Sequence, residues 1–427
     1  MKTRFFNASI VNFDGQRPFI TEGELWVSDD RIAFVGTPEA IPSGFDREID
    51  CSNKLLLPGF KNAHTHSAMT FLRSLADDKP LQNWLNEDVF PLERFLTADD
   101  IYILTRLAIM EYVAGGVTAA FDMYYHNEAI AQSAIDAGFR MTLCGAVNDF
   151  GGSAEAMRDE FLRFNSLHPL ISFRLGFHAE YTTSLPLLKD ISELAHELRA
   201  PVYTHNSETK AEVEGCLARY GKTPTDILNS LGLFDYGGGG FHCVHLNERD
   251  MYIFMERKLF AVTNGGSNVK LASGIAPLCE FFERKIPVAI GTDGPASNNC
   301  LNFFREMFLA TGLQKLRLGA DAMDAEKILH SACSVGAHAM QLPDCDSLSV
   351  GKQADIVMLN LNRPNMQPKN NLIKNIVYSG SNENVALTMV RGRILYENGE
   401  FFVNAESEFI YRRANEIISR IRKQSGR

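Results

Sequence analysis

The middle of the chain alternates short apolar runs with amphipathic helical segments, and this alternation restricts the folds that the sequence can adopt. Eight runs have the length and the β-branched and aromatic content of buried strands. They are LLLPGFKNAHTH, VTAAFDMYY, FRMTLCGAV, ISFRLGFHA, APVYTHNSE, GFHCVHL, KLFAVTNGG and PVAIGTDGP. Helical periodicity separates several of them, as in LPLLKDISELAHELRA. The pattern predicts an α/β fold in which residues 58–349 form a closed (β/α)8 TIM barrel.

Both ends of the chain carry a different pattern, in which short strand-like runs are separated by turn signals. FFNASIVNF and ELWVSDDRIAFVG lie near the start, and ADIVMLNL, NVALTMVRG and RILYENGEFFV lie near the end. Residues 1–57 and 350–427 are therefore predicted to be the two halves of one composite β-sandwich domain.

The overall charge excludes two classes of partner. With a formal net charge of −10 and a pI near 5.6, the chain lacks the basic face that binds nucleic acid or acidic lipid.

No apolar stretch resembles a signal peptide or a membrane span, so a cytoplasmic location is expected. Eight cysteines without a C-x-x-C pair predict reduced thiols rather than disulfides or a cysteine zinc site. Symmetry base rates favour a homo-oligomer.

Polar side chains follow the predicted barrel strands at their C-terminal ends, where TIM barrels place their chemistry. They are His64 and His66 after strand one, His178 after strand four, His205 and Glu208 after strand five, His242 after strand six and Asp293 after strand eight. An H-x-H pair alone has even odds of being a metal site. Imidazoles and a carboxylate gathered at successive strand ends favour a hydrolytic site for one divalent metal, zinc or iron(II).

Several stretches around these residues resemble the amidohydrolase superfamily, closest to its methylthioadenosine/S-adenosylhomocysteine deaminase group, with triazine chlorohydrolases and guanine deaminases nearby. The matching stretches are PGFKNAHTHSAMTFLRSLADD, WLNEDVFPLE, HNSET, HCVHLNER, SNVKLASGIAPL and GTDGPASNN. The resemblance implies that the metal is held by His64, His66, His205 and Asp293. It also implies a single metal, since strand four contains no lysine that could be carboxylated.

The same resemblance assigns catalytic and substrate roles. Glu208 is expected to shuttle protons, and His242, together with Asp293, is expected to orient the hydrolytic water. The expected substrate contacts are His178, Glu93 in VFPLE for ribose hydroxyls, Trp84 as an apolar wall or a core residue, and Ser297.

Some positions depart from the family pattern around the substrate. The arginines that follow strand three in homocysteine-binding relatives are missing here, where the next arginine is Arg158. Glu180 adds an unexpected charge near the pocket, and Thr263 and Asn264-Gly265-Gly266 replace more usual residues before Ser-Asn. These departures weaken the expectation for S-adenosylhomocysteine itself.

The resulting functional hypothesis is hydrolytic deamination of an aminated purine-like ring, with release of ammonia. Adenosine-type nucleosides such as methylthioadenosine, adenosine or 5′-deoxyadenosine are the expected substrates. One alternative is hydrolysis of another heterocycle, such as guanine, a pterin, cytosine or an s-triazine. An alternative of another class is a non-catalytic scaffold, which the full set of candidate metal ligands disfavours.

Overall fold

Strands from both ends of the chain join in one mixed sheet. The computed structural model of the protein describes residues 1–75 and 77–426. The sheet strands before the barrel are β1 (Lys2–Asp14), β2 (Arg17–Ser28), β3 (Arg31–Gly36), β4 (Arg47–Asp50) and β5 (Lys54–Pro58). The two halves meet where β5 pairs antiparallel with a strand from the C-terminal part, Leu57 opposite Val357.

A parallel barrel occupies the middle of the chain. Its strands are β6 (Phe60–Thr65), β7 (Val117–Met123), β8 (Arg140–Cys144), β9 (Ile171–Ala179), β10 (Val202–Asn206), β11 (Gly238–His242), β12 (Phe260–Thr263) and β13 (Val288–Ile290). They are hydrogen-bonded in sequence order. The Asp293 N–H, just after β13, donates to the His64 carbonyl at 3.0 Å and brings the last strand beside the first. The remaining sheet strands are β14 (Ile356–Asn360), β15 (Val385–Val390), β16 (Arg393–Glu397) and β17 (Glu400–Phe401).

Helices surround the barrel and connect its strands. The α-helices are α1 (Leu81–Asn83), α2 (Phe90–Glu93), α3 (Ala98–Ala114), α4 (Asn127–Ala137), α5 (Ala154–Leu167), α6 (Leu185–Leu198), α7 (Lys210–Tyr220), α8 (Pro224–Ser230), α9 (Glu248–Arg257), α10 (Gly265–Lys270), α11 (Leu278–Glu283), α12 (Phe303–Leu318), α13 (Ala325–His330), α14 (Gly336–Ala339), α15 (Leu372–Ser379) and α16 (Ser407–Ser425). A π-helical segment, Trp84–Val89, joins α1 to α2. Within residues 1–75 and 77–426, none of the helices combines the length and apolar character of a bilayer span.

The predicted fold class, a TIM barrel with a second β-sandwich domain built from both termini, is confirmed in its barrel and in the β-structure shared by the termini. Within residues 1–75 and 77–426 the terminal strands form one nine-stranded mixed sheet. The domain boundaries at residues 57 and 350 remain predictions. A buried ion pair joins the sheet to the barrel, in which Arg140 on β8 donates to Asp355 just before β14 at 2.9 and 3.1 Å. The C-terminal helix α16 packs against α3, burying Ile417 and Ile421 and pairing Arg420 with Asp100.

Candidate active site and metal centre

The C-terminal ends of the barrel strands bring four predicted metal ligands together. His64 lies near the end of β6 and His66 directly follows it, His205 lies in β10, and Asp293 follows β13. The Asp293 Oδ1 lies 3.2 Å from His66 Nε2 and 3.6 Å from His64 Nε2. Ligand atoms of His64, His66 and Asp293 fall within 4.8 Å of one another, as do those of His64, His205 and His242. The arrangement has the nitrogen and carboxylate donors of a hydrolytic zinc site.

Backbone carbonyls fix the orientation of two of these imidazoles. The His66 Nδ1 lies 2.5 Å from the Met123 carbonyl, and the His205 Nδ1 lies 2.7 Å from the His178 carbonyl. Because a carbonyl only accepts, each Nδ1 carries a proton, which leaves each Nε2 as the nitrogen for a metal. Burial opposes it, but Asp293 raises the pKa of His66 to about 9, so a metal would displace the Nε2 proton of this ring. This carbonyl-to-imidazole arrangement is the usual support for a metal-ligating histidine.

His64 supplies the observation that best tests whether a cation fits. Its side chain is fully buried against Phe241, with ring centroids 3.8 Å apart. Neither ring nitrogen has a hydrogen-bond partner among the described residues, which is uncommon for buried polar atoms. Burial lowers the pKa of His64 to about 3, so the ring is neutral, as a metal ligand must be. The residues present fit a divalent metal.

Asp293 is held by several donors around a strained backbone. Its Oδ2 accepts from the Ser267 hydroxyl at 2.5 Å and from the Ser297 hydroxyl at 2.8 Å, while the N–H of Gly294 donates to Oδ1. Although burial opposes ionisation, His64 and His66 hold the pKa of Asp293 well below its usual range. Its φ of 59° is left-handed, a conformation that costs about 1–3 kcal/mol and is concentrated at functional sites. The contact with Asp293 favours a supporting role for Ser297 over the substrate contact suggested by the sequence.

Glu208 and His242 face each other beside Asp293. The Glu208 Oε2 lies 3.8 Å from the His242 Nε2, which is 4.0 Å from Asp293 Oδ2. The Asn268 Oδ1 accepts from His242 Nδ1 at 2.8 Å and so fixes the ring with its Nε2 toward the two carboxyl groups. Burial raises the pKa of Glu208, whose Oε1 accepts from the Ser273 hydroxyl at 3.1 Å. The separations of 3.8 and 4.0 Å are too long for direct hydrogen bonds but suit proton exchange through one water.

A pocket of about 670 Å³, including its open mouth, lies over this centre. Trp84, Glu93 and His178, three of the predicted substrate contacts, line it. Trp84 is only 4% exposed, so it is both a buried residue and a wall of the pocket. The Tyr124 hydroxyl donates to Glu93, and burial raises the pKa of that carboxyl.

The His178 ring is also held in one orientation. The Thr182 hydroxyl donates to the Ala179 carbonyl, so it accepts from His178 Nδ1 at 2.9 Å. The Nε2 of His178 is left with a free lone pair at the pocket, and burial lowers the pKa of the ring to about 4. A neutral acceptor at this position suits a substrate donor group.

An outer chamber adjoins the pocket and shares Glu93 and His178 with it. It encloses about 1630 Å³, including its open side. Arg94 and His126 line it together with apolar side chains, among them Phe90 and Tyr125. A substrate bound in the inner pocket therefore has room for a long substituent.

The comparison with protein families agrees with this site. The model of the amidohydrolase family matches residues 55–395, which include every proposed metal ligand. The chain belongs to the amidohydrolase family. The predicted family resemblance is therefore confirmed. The protein is an enzyme of this family, and its pocket has the size for a small-molecule substrate.

Two curated relatives cover almost the whole chain of this amidohydrolase. A 5-methylthioadenosine/S-adenosylhomocysteine deaminase from Syntrophomonas wolfei is 38% identical over 96% of this chain and 97% of its own. One of the same name from Thermoanaerobacter pseudethanolicus is 36% identical over 97% of this chain and 99% of its own.

Solved structures show the same architecture. An adenosine deaminase from Xanthomonas campestris with bound zinc has a TM-score of 0.91 at 30% identity, over 99% of this chain and 98% of that one. A guanine deaminase from C. acetobutylicum with bound guanine has a TM-score of 0.83 at 19% identity, over 93% of this chain and 100% of that one. The second likeness shows the fold alone.

Several supporting residues were missed from the sequence. Ser267, Asn268 and Ser273 lie in the quoted stretch SNVKLASGIAPL, yet the stretch does not indicate which side chain each one contacts. Glu212 had a readable signal, because Thr209 and Glu212 form a T-x-x-E capping box at the start of α7. Its carboxylate accepts from the N–H groups of Ser207 and Glu208 at 2.8 Å and so fixes the chain that carries Glu208.

Proposed function

We propose that this amidohydrolase hydrolytically deaminates an adenosine-type nucleoside and releases ammonia. The observation that carries the proposal is the convergence of Glu208, His242 and Asp293 beside the imidazoles of His64, His66 and His205, in a pocket that also contains Glu93. The names of the relatives, methylthioadenosine/S-adenosylhomocysteine deaminases and an adenosine deaminase, support this substrate class.

His64, His66, His205 and Asp293 would hold one divalent metal, and we propose zinc, as in the Xanthomonas structure. A metal of this kind lowers the pKa of a water that it binds from 15.7 to about 7, so that hydroxide is available at neutral pH. His64 and His205 contribute because burial lowers their pKa and keeps these rings neutral, and the Met123 and His178 carbonyls already aim His66 and His205.

The protein's own groups would then move the protons. Glu208 is buried and its pKa is raised, so it can carry a proton to a ring nitrogen as the ring carbon becomes tetrahedral. His242 Nε2 and the Asp293 carboxylate, 4.0 Å apart, would orient the attacking water and take its proton. Charge that develops in the ring is neutralised where it forms, which lowers the barrier.

The remaining pocket residues would select the substrate. The Glu93 carboxyl, oriented by Tyr124, can accept hydrogen bonds from a pair of ribose hydroxyls, and this favours a nucleoside over a free base or a triazine. Trp84 offers an apolar face, and the neutral His178 offers an acceptor. The outer chamber would receive the substituent at the 5′ position, with Arg94 at its lining.

A substrate panel tests the proposal directly. Ammonia release is measured from adenosine, methylthioadenosine, 5′-deoxyadenosine, S-adenosylhomocysteine, guanine, cytosine and an aminotriazine. Deamination of nucleosides with little release from the free bases supports the role of Glu93. Release from guanine, cytosine or the triazine alone refutes the nucleoside assignment. The cytoplasmic location and the homo-oligomer remain predictions.

A further inference from the structure

A buried carboxylate outside the pocket connects helix α10 with the loop after β13, two segments that support the site. Glu306 lies in the first turn of α12 and is only 1% exposed. Its Oε2 accepts from the Gly266 N–H at 3.0 Å, and its Oε1 accepts from the Asn298 side-chain amide at 2.9 Å. Burying a carboxyl group against neutral donors is costly, and burial raises the pKa of Glu306 to about 7. The free-energy cost of burying the Glu306 carboxyl indicates that this side chain has a role in the site.

The hydrogen bond from the Gly266 N–H connects Glu306 to α10. Gly266 is followed by Ser267, whose hydroxyl donates to Asp293 Oδ2, and by Asn268, whose Oδ1 accepts from His242 Nδ1. A Cβ at Gly266 would lie 2.6 Å from Glu306 Oε1 and from the Asn298 oxygen, so the approach requires glycine. Anchoring the Gly266 N–H therefore fixes the turn that supports both catalytic groups.

The hydrogen bond from the Asn298 side-chain amide connects Glu306 to the loop after β13. The Asn298 amide also donates to the Thr292 carbonyl at 2.6 Å, directly before Asp293. Its neighbour Ser297 donates the second hydroxyl hydrogen bond to Asp293 Oδ2. The carboxylate of Glu306 thus connects α10 with the loop after β13, and a hydroxyl from each donates to Asp293 Oδ2.

We propose that Glu306 is a positioning residue that holds the Ser267 and Ser297 hydroxyls on Asp293 and thereby keeps Oδ1 turned toward the imidazoles. This inference rests on the proposed function. Glu306 does not line the described pocket, whereas Glu93 and His178 do, so its loss affects the chemical step and metal retention more than substrate binding.

The test variant is Glu306→Gln, which keeps the shape and removes the charge. Both present partners donate, so the new amide nitrogen faces a donor. Rotating the Asn298 amide would restore that contact but would remove the hydrogen bond to Thr292. We expect kcat to fall about 10- to 100-fold with KM within about threefold of wild type, the usual scale for a support of a metal ligand. Glu283→Gln, an exposed glutamate on α11, is the matched control and stays within about twofold, as surface changes usually do.

A double-mutant cycle separates positioning from general stability. If Glu306 acts through Ser267, then Glu306→Gln costs much less kcat in a Ser267→Ala background than in wild type, because contacting groups are not additive. Full additivity, or a kcat for Glu306→Gln equal to wild type, overturns the proposal. If Glu306→Gln does not fold, Asn298→Ala serves as the second variant. It removes the hydrogen bond between Asn298 and Glu306 and is expected to lower kcat without raising KM. An unchanged kcat in a folded Asn298→Ala overturns it as well.

A readout that needs no substrate distinguishes failure of this proposal from failure of the proposed function. The visible absorption of the cobalt(II)-substituted protein reports the ligand geometry at the metal. We expect the same spectral change in Glu306→Gln and Ser267→Ala, together with a metal affinity about 10- to 100-fold weaker by chelator competition. If the wild-type protein deaminates no nucleoside, the proposed function is wrong, and the cobalt spectra still decide the role of Glu306. Spectra and affinities identical to wild type refute that role.

Discussion

Replacing Glu208 with glutamine removes the proposed proton carrier while leaving its surroundings almost unchanged. The amide oxygen of the new side chain can still accept from Ser273, whose hydroxyl is 3.1 Å from Glu208 Oε1. The amide nitrogen of the new side chain then faces His242 Nε2, which lies 3.8 Å from Glu208 Oε2. Because a buried carboxyl becomes a neutral amide, we expect no loss of folding stability.

The expected loss of turnover follows from the lost proton transfer alone. A positioned acid/base group contributes about 10²- to 10⁴-fold, which corresponds to about 2.7–5.4 kcal/mol at the transition state. The metal ligands are untouched, so bound zinc should stay at the wild-type level. KM should change little, since Glu93 and His178 keep their places in the pocket.

The assay is steady-state ammonia release, with zinc content and thermal midpoint measured on the same samples. Glu214→Gln, an exposed position on α7, the helix that follows Glu208, controls for the loss of one carboxylate and should keep wild-type kcat. A Glu208→Gln enzyme with kcat within about fivefold of wild type would refute the proton-carrier role, since an acid/base group contributes far more. Loss of zinc together with activity would instead make Glu208 part of the metal site.

Three further changes test other parts of the account. Glu93→Gln should raise KM for nucleosides about tenfold, since hydrogen bonds to a charged group contribute about 1.5–3 kcal/mol, and kinetics with a bare aminated base as control should be unaffected. Arg94→Gln should lower kcat/KM for S-adenosylhomocysteine about tenfold and leave methylthioadenosine unchanged, and equal effects on both would contradict a contact with the charged tail. Asp355→Asn leaves Arg140 buried without its partner and should cost about 3–5 kcal/mol in urea unfolding. Burial opposes ionisation of Asp355, but Arg140 and Lys61 hold the pKa of its carboxyl below the usual range. The ion pair therefore stabilises the fold fully above the pKa of an unfolded aspartate, and this stabilisation is lost as the pH falls through the folded pKa. The difference in unfolding free energy between the wild type and Asp355→Asn should therefore become smaller in acid.

The positions of the strand-end residues could be predicted from the sequence because strand periodicity is local. His64 and His66 share a direction since side chains repeat every two residues, and the parallel barrel collects such residues at one end. The same reasoning misplaced Glu180. The strand β9 ends at Ala179 and a 3-10 turn begins at Glu180, which pairs with Arg219 on α7 at 2.6 Å. The predicted strand also ends at Ala179, but its two-residue alternation does not continue into the 3-10 turn, so Glu180 pairs with Arg219 and does not line the pocket beside His178.

The supporting contacts were beyond a reading of the sequence because their partners are far apart along the chain. Ser267 and Asp293 are 26 residues apart, and Gly266 and Glu306 are 40 apart. Each contact depends on how a loop and an outer helix dock onto the barrel, which a local pattern does not encode. Ser297 illustrates the limit, since its motif marked it as part of the site while its partner, Asp293, emerged only from the fold.

The most direct test of the central claim is ammonia release by the zinc-loaded protein from methylthioadenosine, adenosine and 5′-deoxyadenosine, with guanine, cytosine and an aminotriazine alongside. The account predicts that the nucleosides are deaminated, and that chelation of the metal abolishes the release and added zinc restores it. Protein with one equivalent of zinc bound and no ammonia from any nucleoside would contradict it.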